Sequence, residues 1–574
     1  MTSFNELPAL LGPENMHMYQ DEMVDFMVDV PFCAMFVDLG LGKTVSTMTA
    51  MLNLIMAAID GDPLGIDNWL VIAPLRVANT TWPNEIREWS HTRAMSISHI
   101  RDEVLVDAIN KAGEDARQLL KAFGVTHPDV ISIIRKHRLK QLAHRAKNQL
   151  GYRKHDITKY ARQFIDEEMK KPLGTAERKI YVAMKRDQAA ALAVREHKRK
   201  NPASIYVINR EQVEFLVRAW GRDWPFDGVV IDESSAFKDH RTKRWAALRQ
   251  VRPLLKRMIQ LTATPATETY AHLFGQIGLL DMGERLGATN TAFMERFFIV
   301  NKWTHEAKLR PGAEEEIAAL IADICLTMKA EDYLPMDAPV FVNRYIDMPE
   351  SAMQLYRQME ADGLVELKGR EIEAPTAASM SQKLLQIASG VLYETYLLED
   401  IDTEDMVKVK HIHEVHDRKI IDLKELVEET GERILVSYHF KSSLDKLLKA
   451  FPKAVVMDKE GSAVNAWNKG KIPILLMHPQ SGAHGLNLQK GGRYVYYYDI
   501  PWSAELYLQF NARLHRQGQK DQVFICHAVS RGTLDEHVVK CLEGKTDAQE
   551  MLFQLLKKLQ RKLKNRLTIE HDDL

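Results

Sequence analysis

Residues 34–44 of the chain read Ala-Met-Phe-Val-Asp-Leu-Gly-Leu-Gly-Lys-Thr. The four apolar residues at the start predict a buried strand, and the pattern that follows predicts a helix from Val45 to about Ile59. A glycine-rich turn between a strand and a helix lets backbone N–H groups approach a phosphate, and the positive end of the helix dipole faces the same point. The sequence therefore predicts a phosphate-binding loop.

Each polar position of this loop has an expected task. Gly40 and Gly42 supply backbone freedom. Lys43 is expected to reach the β- and γ-phosphates of a nucleotide, and the Thr44 hydroxyl is expected to hold Mg²⁺. The strict motif has glycine at position 37, where this chain has valine. The loop is a near match, and an ordinary glycine-rich turn is the alternative interpretation.

An acidic pair, Asp232 and Glu233, directly follows another apolar run at 228–231. Ligands of open α/β sheets bind at the carboxyl ends of the strands, so this pair is expected beside the phosphate loop. Asp232 is predicted to hold Mg²⁺ through water, and Glu233 to orient and deprotonate an attacking water. Two helix-capping carboxylates are the alternative.

Arg513 and Arg516 stand three residues apart within the run 509–519. We predict a helix here, on which the two side chains share a face. Two guanidinium groups on one face can stabilise the charge of a phosphoryl group during its transfer. A solvated basic turn before Gly518 is the alternative.

Short apolar runs, each followed by a helical pattern, recur in two sets along the chain. They predict an α/β fold with two tandem parallel-sheet domains and helical insertions. We place the first domain at 1–280, a helical linker region at 281–410 and the second domain, with a C-terminal helix, at 411–574. The runs lie at 34–37, 69–73, 205–208, 228–231 and 258–261, then at 434–437, 454–457, 474–477, 494–498 and 523–526.

The composition is that of an ordinary globular protein. Of the 574 residues, 45% are hydrophobic and 27% are charged, and no apolar run approaches the ~20 residues that a membrane-spanning helix needs. The four cysteines are far apart in the chain. This spacing argues against a disulfide scaffold or a cysteine zinc site and fits a reducing compartment. The start of the chain lacks the pattern of a signal peptide, so we expect a cytoplasmic protein.

Charge is segregated although the net charge of the chain is only -1. Residues 101–200 contain 24 Lys and Arg against 13 Asp and Glu. We interpret the basic helical insertion, about 101–203, as a grip on a nucleic-acid backbone, and a solvated helical face is the alternative. The candidate contacts are Arg135, Lys136, Arg138, Lys198, Arg199 and Lys200.

Taken in order, these motifs resemble those of the superfamily-two helicase-like ATPases, and most closely their Swi/Snf branch of DNA-dependent ATPases. The run 509–519 is similar to the branch's pattern Q-x-x-x-R-x-x-R-x-G-Q, and 38–44 is similar to its phosphate loop. The likeness covers roughly residues 15–95, 204–280 and 415–540. Further matches are Met18-Tyr19-Gln20, Ala73-Pro74-Leu75, Leu261-Thr262-Ala263-Thr264-Pro265 and Ser481-Gly482-Ala483-His484-Gly485-Leu486-Asn487-Leu488.

The resemblance implies two RecA-like domains that face each other across a cleft binding ATP and Mg²⁺. It assigns Gln20 to the adenine and brings Arg513 and Arg516 to the γ-phosphate when the cleft closes. The remaining residues that it assigns are Gly485 and Gln509 to the nucleotide, and Pro74, Thr262 and Thr264 to nucleic acid.

The chain departs from the family at Ser234-Ser235, where relatives usually carry Ala-His. That histidine commonly couples the ATP site to the DNA site, so the coupling cannot be carried over from the family.

A compact member of this kind resembles those encoded by bacteriophages and bacteria. We expect a monomeric ATPase in the bacterial cytoplasm that couples Mg-ATP hydrolysis to movement along double-stranded DNA. The helical insertions are a further candidate surface, for a protein partner. One alternative is a strand-separating DNA or RNA helicase. The other is a nucleic-acid-binding accessory protein with a weak ATPase core.

Overall fold

Two parallel β-sheets organise the chain in the computed structural model, which describes residues 11–100, 102–123, 126–148, 154–266, 269–301, 307–362, 364–367, 370–374, 376–399, 406–458, 462–482 and 486–543. The strands of the amino-terminal half are β1 (Phe32–Val37), β2 (Trp69–Ala73), β3 (Ile97–His99), β4 (Ile205–Asn209), β5 (Gly228–Asp232), β6 (Arg257–Thr262), β7 (Phe298–Val300), β8 (Ala307–Leu309) and β9 (Cys325–Met328). Those that follow are β10 (Val340–Ile346), β11 (Leu364–Leu367), β12 (Arg370–Glu373), β13 (Val391–Glu399), β14 (Met406–Glu414), β15 (Ile434–Ser437), β16 (Val455–Val456), β17 (Ile474–Met477), β18 (Tyr494–Tyr497) and β19 (Phe524–Ser530).

The first sheet has the strand order β3-β4-β2-β5-β6-β1-β9, and the second has the order β10-β19-β18-β15-β17-β16. All neighbours in both sheets pair in parallel. Three antiparallel pairs, β7–β8, β11–β12 and β13–β14, stand apart from them. The predicted fold class, α/β with two tandem RecA-like parallel-sheet domains, is therefore confirmed.

Helices cover both faces of the sheets. Those of the first half are α1 (Met18–Asp29), α2 (Lys43–Ile59), α3 (Trp82–Glu88), α4 (Asp102–Phe123), α5 (Pro128–Asn148), α6 (Lys154–Met169), α7 (Thr175–Lys200), α8 (Val213–Trp220), α9 (Lys243–Val251), α10 (Leu273–Asp281), α11 (Asn290–Phe297), α12 (Ala313–Ile321) and α13 (Ala330–Tyr333). Those of the second half are α14 (Glu350–Asp362), α15 (Ala377–Ala388), α16 (Arg418–Thr430), α17 (Lys441–Ala450), α18 (Val464–Asn468), α19 (Pro479–Gly482) and α20 (Ala504–Asn511).

Alternate side chains of each central strand enter different cores. On β1, Ala34 and Phe36 pack into one buried cluster, while Cys33, Met35 and Val37 pack into the cluster on the opposite face. Burial on both faces explains why this strand reads as a continuous apolar run instead of an alternating one. The ten predicted strands are all present, because such runs are easy to recognise in the sequence.

The prediction that 281–410 is helical is wrong in large part, because the three antiparallel pairs begin there and two further strands complete the main sheets. The strand β9 pairs with β1 at the edge of the first sheet, and β10 pairs with β19 at the edge of the second. On β10, exposed residues such as Phe341 alternate with partly buried ones, as expected for an edge strand. Both segments lack the long apolar run on which the strand predictions depended. The C-terminal helix predicted after residue 543 lies outside the described residues.

The basic insertion is a helical subdomain between β3 and β4. Its helices α5 and α6 pack together, and α4 packs along α7, which in turn contacts α8. Buried side chains, among them Leu120, Ile134 and Tyr181, give the insertion a small core of its own. The predicted basic helices are therefore present, and they are anchored to the first sheet.

Candidate active site

The phosphate loop has the backbone that its glycines predict. Gly40 and Gly42 have φ values of 92° and 77°, in the left-handed region that favours glycine. The Lys43 ammonium donates hydrogen bonds to the backbone carbonyls of Val37 at 2.6 Å and Asp38 at 3.0 Å. Burial lowers the pKa of Lys43, while the charges of Glu233, Asp38 and Asp232 oppose this shift. The loop thus holds a desolvated cation at the start of α2.

Gln20 is attached to this loop from α1. Its side-chain amide donates to the carbonyl of Leu41 at 3.3 Å, and its Oε1 accepts from the backbone N–H of His17 at 2.8 Å. A Cβ atom on Gly42 would lie only 2.0 Å from the Gln20 Nε2. The backbone angle favours glycine at position 42, and a larger residue would also displace the Gln20 amide from the loop. Gln20 is therefore held beside the phosphate loop, and its assignment to the adenine stays a prediction.

The acidic pair follows β5, as predicted. Asp232 Oδ2 accepts a hydrogen bond from the Trp82 indole N–H at 2.9 Å. Burial raises the pKa of Asp232, and the Trp82 hydrogen bond partly offsets that shift. No pattern in the sequence indicated this contact between Trp82 and the acidic pair.

Glu233 has an unusual backbone and an unsatisfied carboxylate. Its φ of 57° is in the left-handed region, which is uncommon for residues other than glycine. Its Oε2 is buried and has no hydrogen-bond partner. Burial, followed by the neighbouring charge of Asp232, raises the pKa of Glu233 to about 7. A carboxylate with that pKa can exchange a proton near neutral pH, as a general base must.

These residues fit a nucleotide bound with Mg²⁺. The Asp232 carboxylate and the Thr44 hydroxyl on the first turn of α2 are hard oxygen ligands of the kind that Mg²⁺ prefers. The unpartnered oxygen of Glu233 lies in the same site. In the described residues there is no group of three or more His, Cys, Asp or Glu that suits a metal ion. A single carboxylate with substrate phosphates is the usual way in which proteins bind Mg²⁺.

Arg513 and Arg516 reach the site from the second half, but the predicted helix is wrong for them. The helix α20 ends at Asn511, whose side chain accepts a hydrogen bond from the Tyr497 hydroxyl at 2.7 Å. Both arginines lie in the turns that follow. Each of them still donates to the backbone carbonyl of Leu486 at 3.3 Å, so they share one side of the segment.

The arginine segment lies directly against the phosphate loop. A Cβ atom on Gly40 would be 3.5 Å from the Arg516 Cβ and 3.4 Å from the backbone nitrogen of Gln517. Burial, followed by the charge of Arg516, lowers the pKa of Arg513 to about 9. The structure therefore brings together the phosphate loop, the acidic pair and both arginines, which are more than 450 residues apart at the extremes.

Ser235, next to the acidic pair, makes a second contact between the halves. Its hydroxyl donates to Glu505 Oε1 at 2.7 Å, and Lys238 Nζ donates to Glu505 Oε2 at 3.4 Å. Glu505 lies in the first turn of α20, and no sequence signal pointed to it. Ser235 occupies the position where relatives usually carry histidine.

Two further residues, Gln509 and Gly485, were predicted to contact the nucleotide, and the structure describes only Gln509. Gln509 is buried on α20, and its backbone carbonyl accepts from Arg513 Nε at 2.9 Å. Gly485 lies outside the described residues.

Three predicted contacts to nucleic acid are buried. Pro74 directly follows β2, and its carbonyl accepts from the Ala78 N–H in the next turn. The backbone N–H of Thr264 donates to the Thr262 hydroxyl at 3.0 Å, and both side chains are at most 3% exposed. In this conformation these side chains do not reach the surface that a nucleic-acid backbone requires.

Within the basic insertion, Arg138 is a structural residue and not a surface contact. It is 4% exposed, it pairs with Glu177 at 2.6 Å, and it also donates to backbone carbonyls of the loop before α7. Lys198 is also engaged, because it lies 4.1 Å from the ring centre of Tyr206 and donates to Asn68 at 3.2 Å. The predicted role of Arg138 in binding nucleic acid is therefore corrected, because its side chain is buried and fully used inside the protein. Lys198 is only partly buried, and its contact with nucleic acid stays a prediction.

The other candidate cations of the insertion are exposed. Arg135 pairs with Asp166 at 2.9 Å, and Lys200 pairs with Glu196 at 2.9 Å. Arg199 lies 3.8 Å from the same Glu196, and Lys136 is exposed on α5. Exposed ion pairs contribute little to stability, so these side chains are available to a charged ligand.

Comparison with known proteins follows the same division of the chain. Residues 19–389 match the family described as SNF2-related domain, and residues 418–518 match the helicase conserved C-terminal domain. No helix among the described residues combines the length and the apolar character needed to cross a membrane.

Similar proteins come from phage, bacteria and plants. Putative protein p41 of Acyrthosiphon pisum secondary endosymbiont phage 1 is 30% identical over 556 residues, which are 94% of this chain and 98% of that protein. The uncharacterized ATP-dependent helicase YqhH of Bacillus subtilis (strain 168) is 23% identical over 56% of this chain and 58% of its own length. The CHD3-type chromatin-remodeling factor CHR7 of Arabidopsis thaliana is 25% identical over 55% of this chain but only 26% of its own length.

Among solved structures, the Sulfolobus solfataricus SWI2/SNF2 ATPase core in complex with dsDNA aligns over 96% of both chains, at 17% identity and a TM-score of 0.36.

Proposed function

Because the chain belongs to the SNF2-related family and is an ATPase of helicase superfamily two, we propose that it couples Mg-ATP hydrolysis to movement along double-stranded DNA. The observation that carries this proposal is the position of Arg516 of the second half against Gly40 of the phosphate loop. A site assembled from two halves links hydrolysis to their relative position. A repeated change of that position is what movement along a polymer requires.

The chain's own residues supply the parts needed for phosphoryl transfer to water. Lys43 and the N–H groups of the loop neutralise and position the phosphates. Glu233 orients the attacking water and accepts its proton. Arg513 and Arg516 stabilise the charge that spreads over the γ-phosphoryl group in the transition state. When bound by Thr44 and Asp232, Mg²⁺ would add positive charge at the β- and γ-phosphates.

The Ser235–Glu505 contact gives the halves a direct mechanical connection beside the general base. The charge of Glu505 also raises the pKa of Glu233, after the effects of burial and Asp232. Separation of the two halves therefore removes the arginines from the phosphates and at the same time changes the electrostatics of Glu233. Loss of the arginines confines fast hydrolysis to the closed arrangement, because the charge on the γ-phosphoryl group is then not stabilised.

The substrate and partner follow from the family and remain part of the proposal. Relatives include the CHD3-type chromatin-remodeling factor CHR7 and the uncharacterized ATP-dependent helicase YqhH. We assign double-stranded DNA to this chain as its polymer and propose that it acts as a monomer in the cytoplasm. The helical insertion offers a second surface for a protein partner.

Steady-state ATP turnover should be measured with no nucleic acid, duplex DNA, single-stranded DNA and RNA in parallel. The proposal expects the highest turnover with duplex DNA. Triplex displacement paired with unwinding of a forked duplex then separates a translocase from a strand-separating helicase. Efficient unwinding without triplex displacement would favour the helicase. Turnover that no nucleic acid stimulates would contradict the proposal.

A further inference from the structure

A cleft with a strongly basic lining lies between α4, α7 and α8, away from the nucleotide site. Its volume is about 740 Å³. Apolar side chains, among them Leu120, Val182 and Phe215, form part of its wall. We call it the basic cleft, and its defining residues are Arg117, Lys121, Arg178, Lys179, Arg186 and Lys243.

The positive charge of the basic cleft is not neutralised within the protein. Glu214 is the carboxylate among the described lining residues, and Arg218, one turn along α8, already pairs with it. In the part of the chain that the structure describes, no carboxylate pairs with Arg117, Lys121 or Lys179. The Arg186 Nε is buried and has no hydrogen-bond partner. Buried polar groups are normally satisfied, so this orphaned donor beside unpaired cations favours an anionic ligand.

The cations form two rows. Arg117 and Lys121 are four residues apart on α4 and therefore share a face of that helix. Lys179 and Arg186 are seven residues apart on α7, about two turns, and also share a face. All four side chains line the same cleft. Two facing rows of cations match an extended polyanion with regularly spaced charges better than they match one small anion.

The basic cleft lies toward the edge of the first sheet that holds the nucleotide site. The helix α8 begins shortly after β4 ends, and Lys243 opens α9, which follows β5 and the acidic pair. Arg244 Nη1 donates to Glu211 Oε1 at 2.8 Å and thereby joins the segments that follow β4 and β5. Ligands of parallel sheets bind at this carboxyl-end edge. A polymer in the cleft would thus run close to the loops that carry Asp232 and Glu233.

We propose that the basic cleft binds the phosphate backbone of the duplex DNA along which the enzyme moves. The inference rests on the proposed function. It assigns the contact with the DNA backbone to the basic cleft, and not to the residues of the insertion that the sequence predicted for it. Of the predicted contacts, Arg138 and Lys198 are engaged inside the protein, whereas among the described residues Arg117, Lys121 and Lys179 of the cleft have no carboxylate partner. Backbone contacts carry no sequence information, so binding through the cleft is expected to be insensitive to base sequence.

The test compares two full-length variants with equal loss of charge. One replaces Arg117, Lys121 and Lys179 in the basic cleft by Gln. The matched control replaces Arg135, Lys136 and Lys140, which are exposed on α5, by Gln. The affinity for a labelled DNA duplex is measured by fluorescence anisotropy across about 50–200 mM salt, a range in which backbone binding changes strongly.

For the cleft variant we expect weaker binding and a log–log salt slope that is flatter by about 0.9 for each phosphate that the protein no longer neutralises. The control should keep the parent slope. Both variants should keep the parent's turnover without DNA and its thermal unfolding, because none of these residues belongs to the nucleotide site or to a buried core. Duplex stimulation of turnover should fall in the cleft variant alone.

Three outcomes would overturn the assignment. Equal flattening in both variants would mean that overall charge matters and the cleft does not. If the cleft variant keeps the parent's salt slope for DNA binding while duplex DNA still stimulates the wild type, the cleft is not a DNA-binding site. The proposed function would then still stand. Competition by polyglutamate as strong as that by duplex DNA, and abolished in the cleft variant, would assign the cleft to an acidic protein. Absence of any duplex stimulation in the wild type would instead overturn the proposed function.

Discussion

The Ser235 hydroxyl donates a 2.7 Å hydrogen bond to Glu505, although 270 residues separate them in the chain. Ser235 is 2% exposed, and it follows the general base by two positions. Where relatives usually carry histidine, this chain thus uses a hydroxyl bound to a carboxylate of the other half. This contact between the halves makes Ser235 a candidate for the coupling that the family resemblance could not assign.

Replacing Ser235 by Ala should lower duplex-stimulated ATP turnover about tenfold. A hydrogen bond to a charged group contributes roughly 1.5–3 kcal/mol, and about 1.4 kcal/mol corresponds to a factor of ten. Ser234→Ala is the matched control, because the Ser234 hydroxyl bonds to Gln276 inside the first half. The control should keep the ratio of stimulated to basal turnover. Equal ratios in both variants would argue against coupling through Ser235.

Lys43 and Glu233 should affect catalysis in different ways. Lys43→Ala removes a phosphate contact, so ATP affinity and turnover should both fall. Glu233→Gln keeps the size of the side chain but loses the base, so ATP should still bind while turnover falls about 10²–10⁴-fold. Equilibrium binding of ATP and steady-state turnover measure the two effects separately. Near-normal turnover of Glu233→Gln would show that Glu233 is not the general base.

The pH profile of kcat/KM should report the raised pKa of Glu233. A general base acts in its deprotonated form, and the pKa of Glu233 in the free enzyme is about 7. The value of kcat/KM should therefore be constant above this pKa and fall about tenfold per pH unit below it. An ordinary glutamate would show this fall only near pH ~4.3. A flat profile between these two values would show that Glu233 does not limit the reaction.

Arg516 should stabilise the transition state more than the bound nucleotide. Arg516→Ala is expected to lower kcat by about 10³-fold, as for other arginines that complete a phosphoryl-transfer site, with a smaller change in ATP affinity. Arg531→Ala is a suitable control, because Arg531 is an exposed arginine of the same half, paired with Asp347. A loss confined to ATP affinity would contradict the role of Arg516 in the transition state.

Arg138 should matter for stability and not for DNA. Arg138→Gln leaves Glu177 without its partner and removes donors from backbone carbonyls, so it should destabilise the insertion on the order of 3 kcal/mol. Lys136→Gln, on the exposed face of the same helix, should leave thermal unfolding unchanged. Both melting temperatures can be measured by circular dichroism. If Arg138→Gln unfolds at the same temperature as the parent, Arg138 is not a structural residue, and its predicted contact with nucleic acid would again be open.

Local sequence patterns predicted the fold well and the contacts across it less well. The strands β2, β15 and β17 begin and end where their apolar runs do, because burial on both faces selects continuous apolar sequence. The phosphate loop and the acidic pair follow strands, so the topology alone brings them together.

Contacts between distant segments left no local trace. Glu505 contacts Ser235, and Glu177 neutralises Arg138, but nothing in the residues around either carboxylate announces its partner. Arg513 and Arg516 were found from their spacing, although the helix assumed for them ends at Asn511. Both side chains lie on the same side of the segment because both donate to the carbonyl of Leu486. The spacing of residues on a helix is not the cause.

The strands β9 and β10 belong to different sheets, yet only residues 329–339 separate them. This hinge contains α13 and two prolines, so it is short and partly stiff. Its first turn is fastened to the nucleotide loop, because the Ala330 N–H donates to Asp38 Oδ2 at 3.0 Å. A change in the relative position of the two sheets would therefore act on the phosphate loop through Asp38, the residue that joins this connecting segment to the nucleotide site.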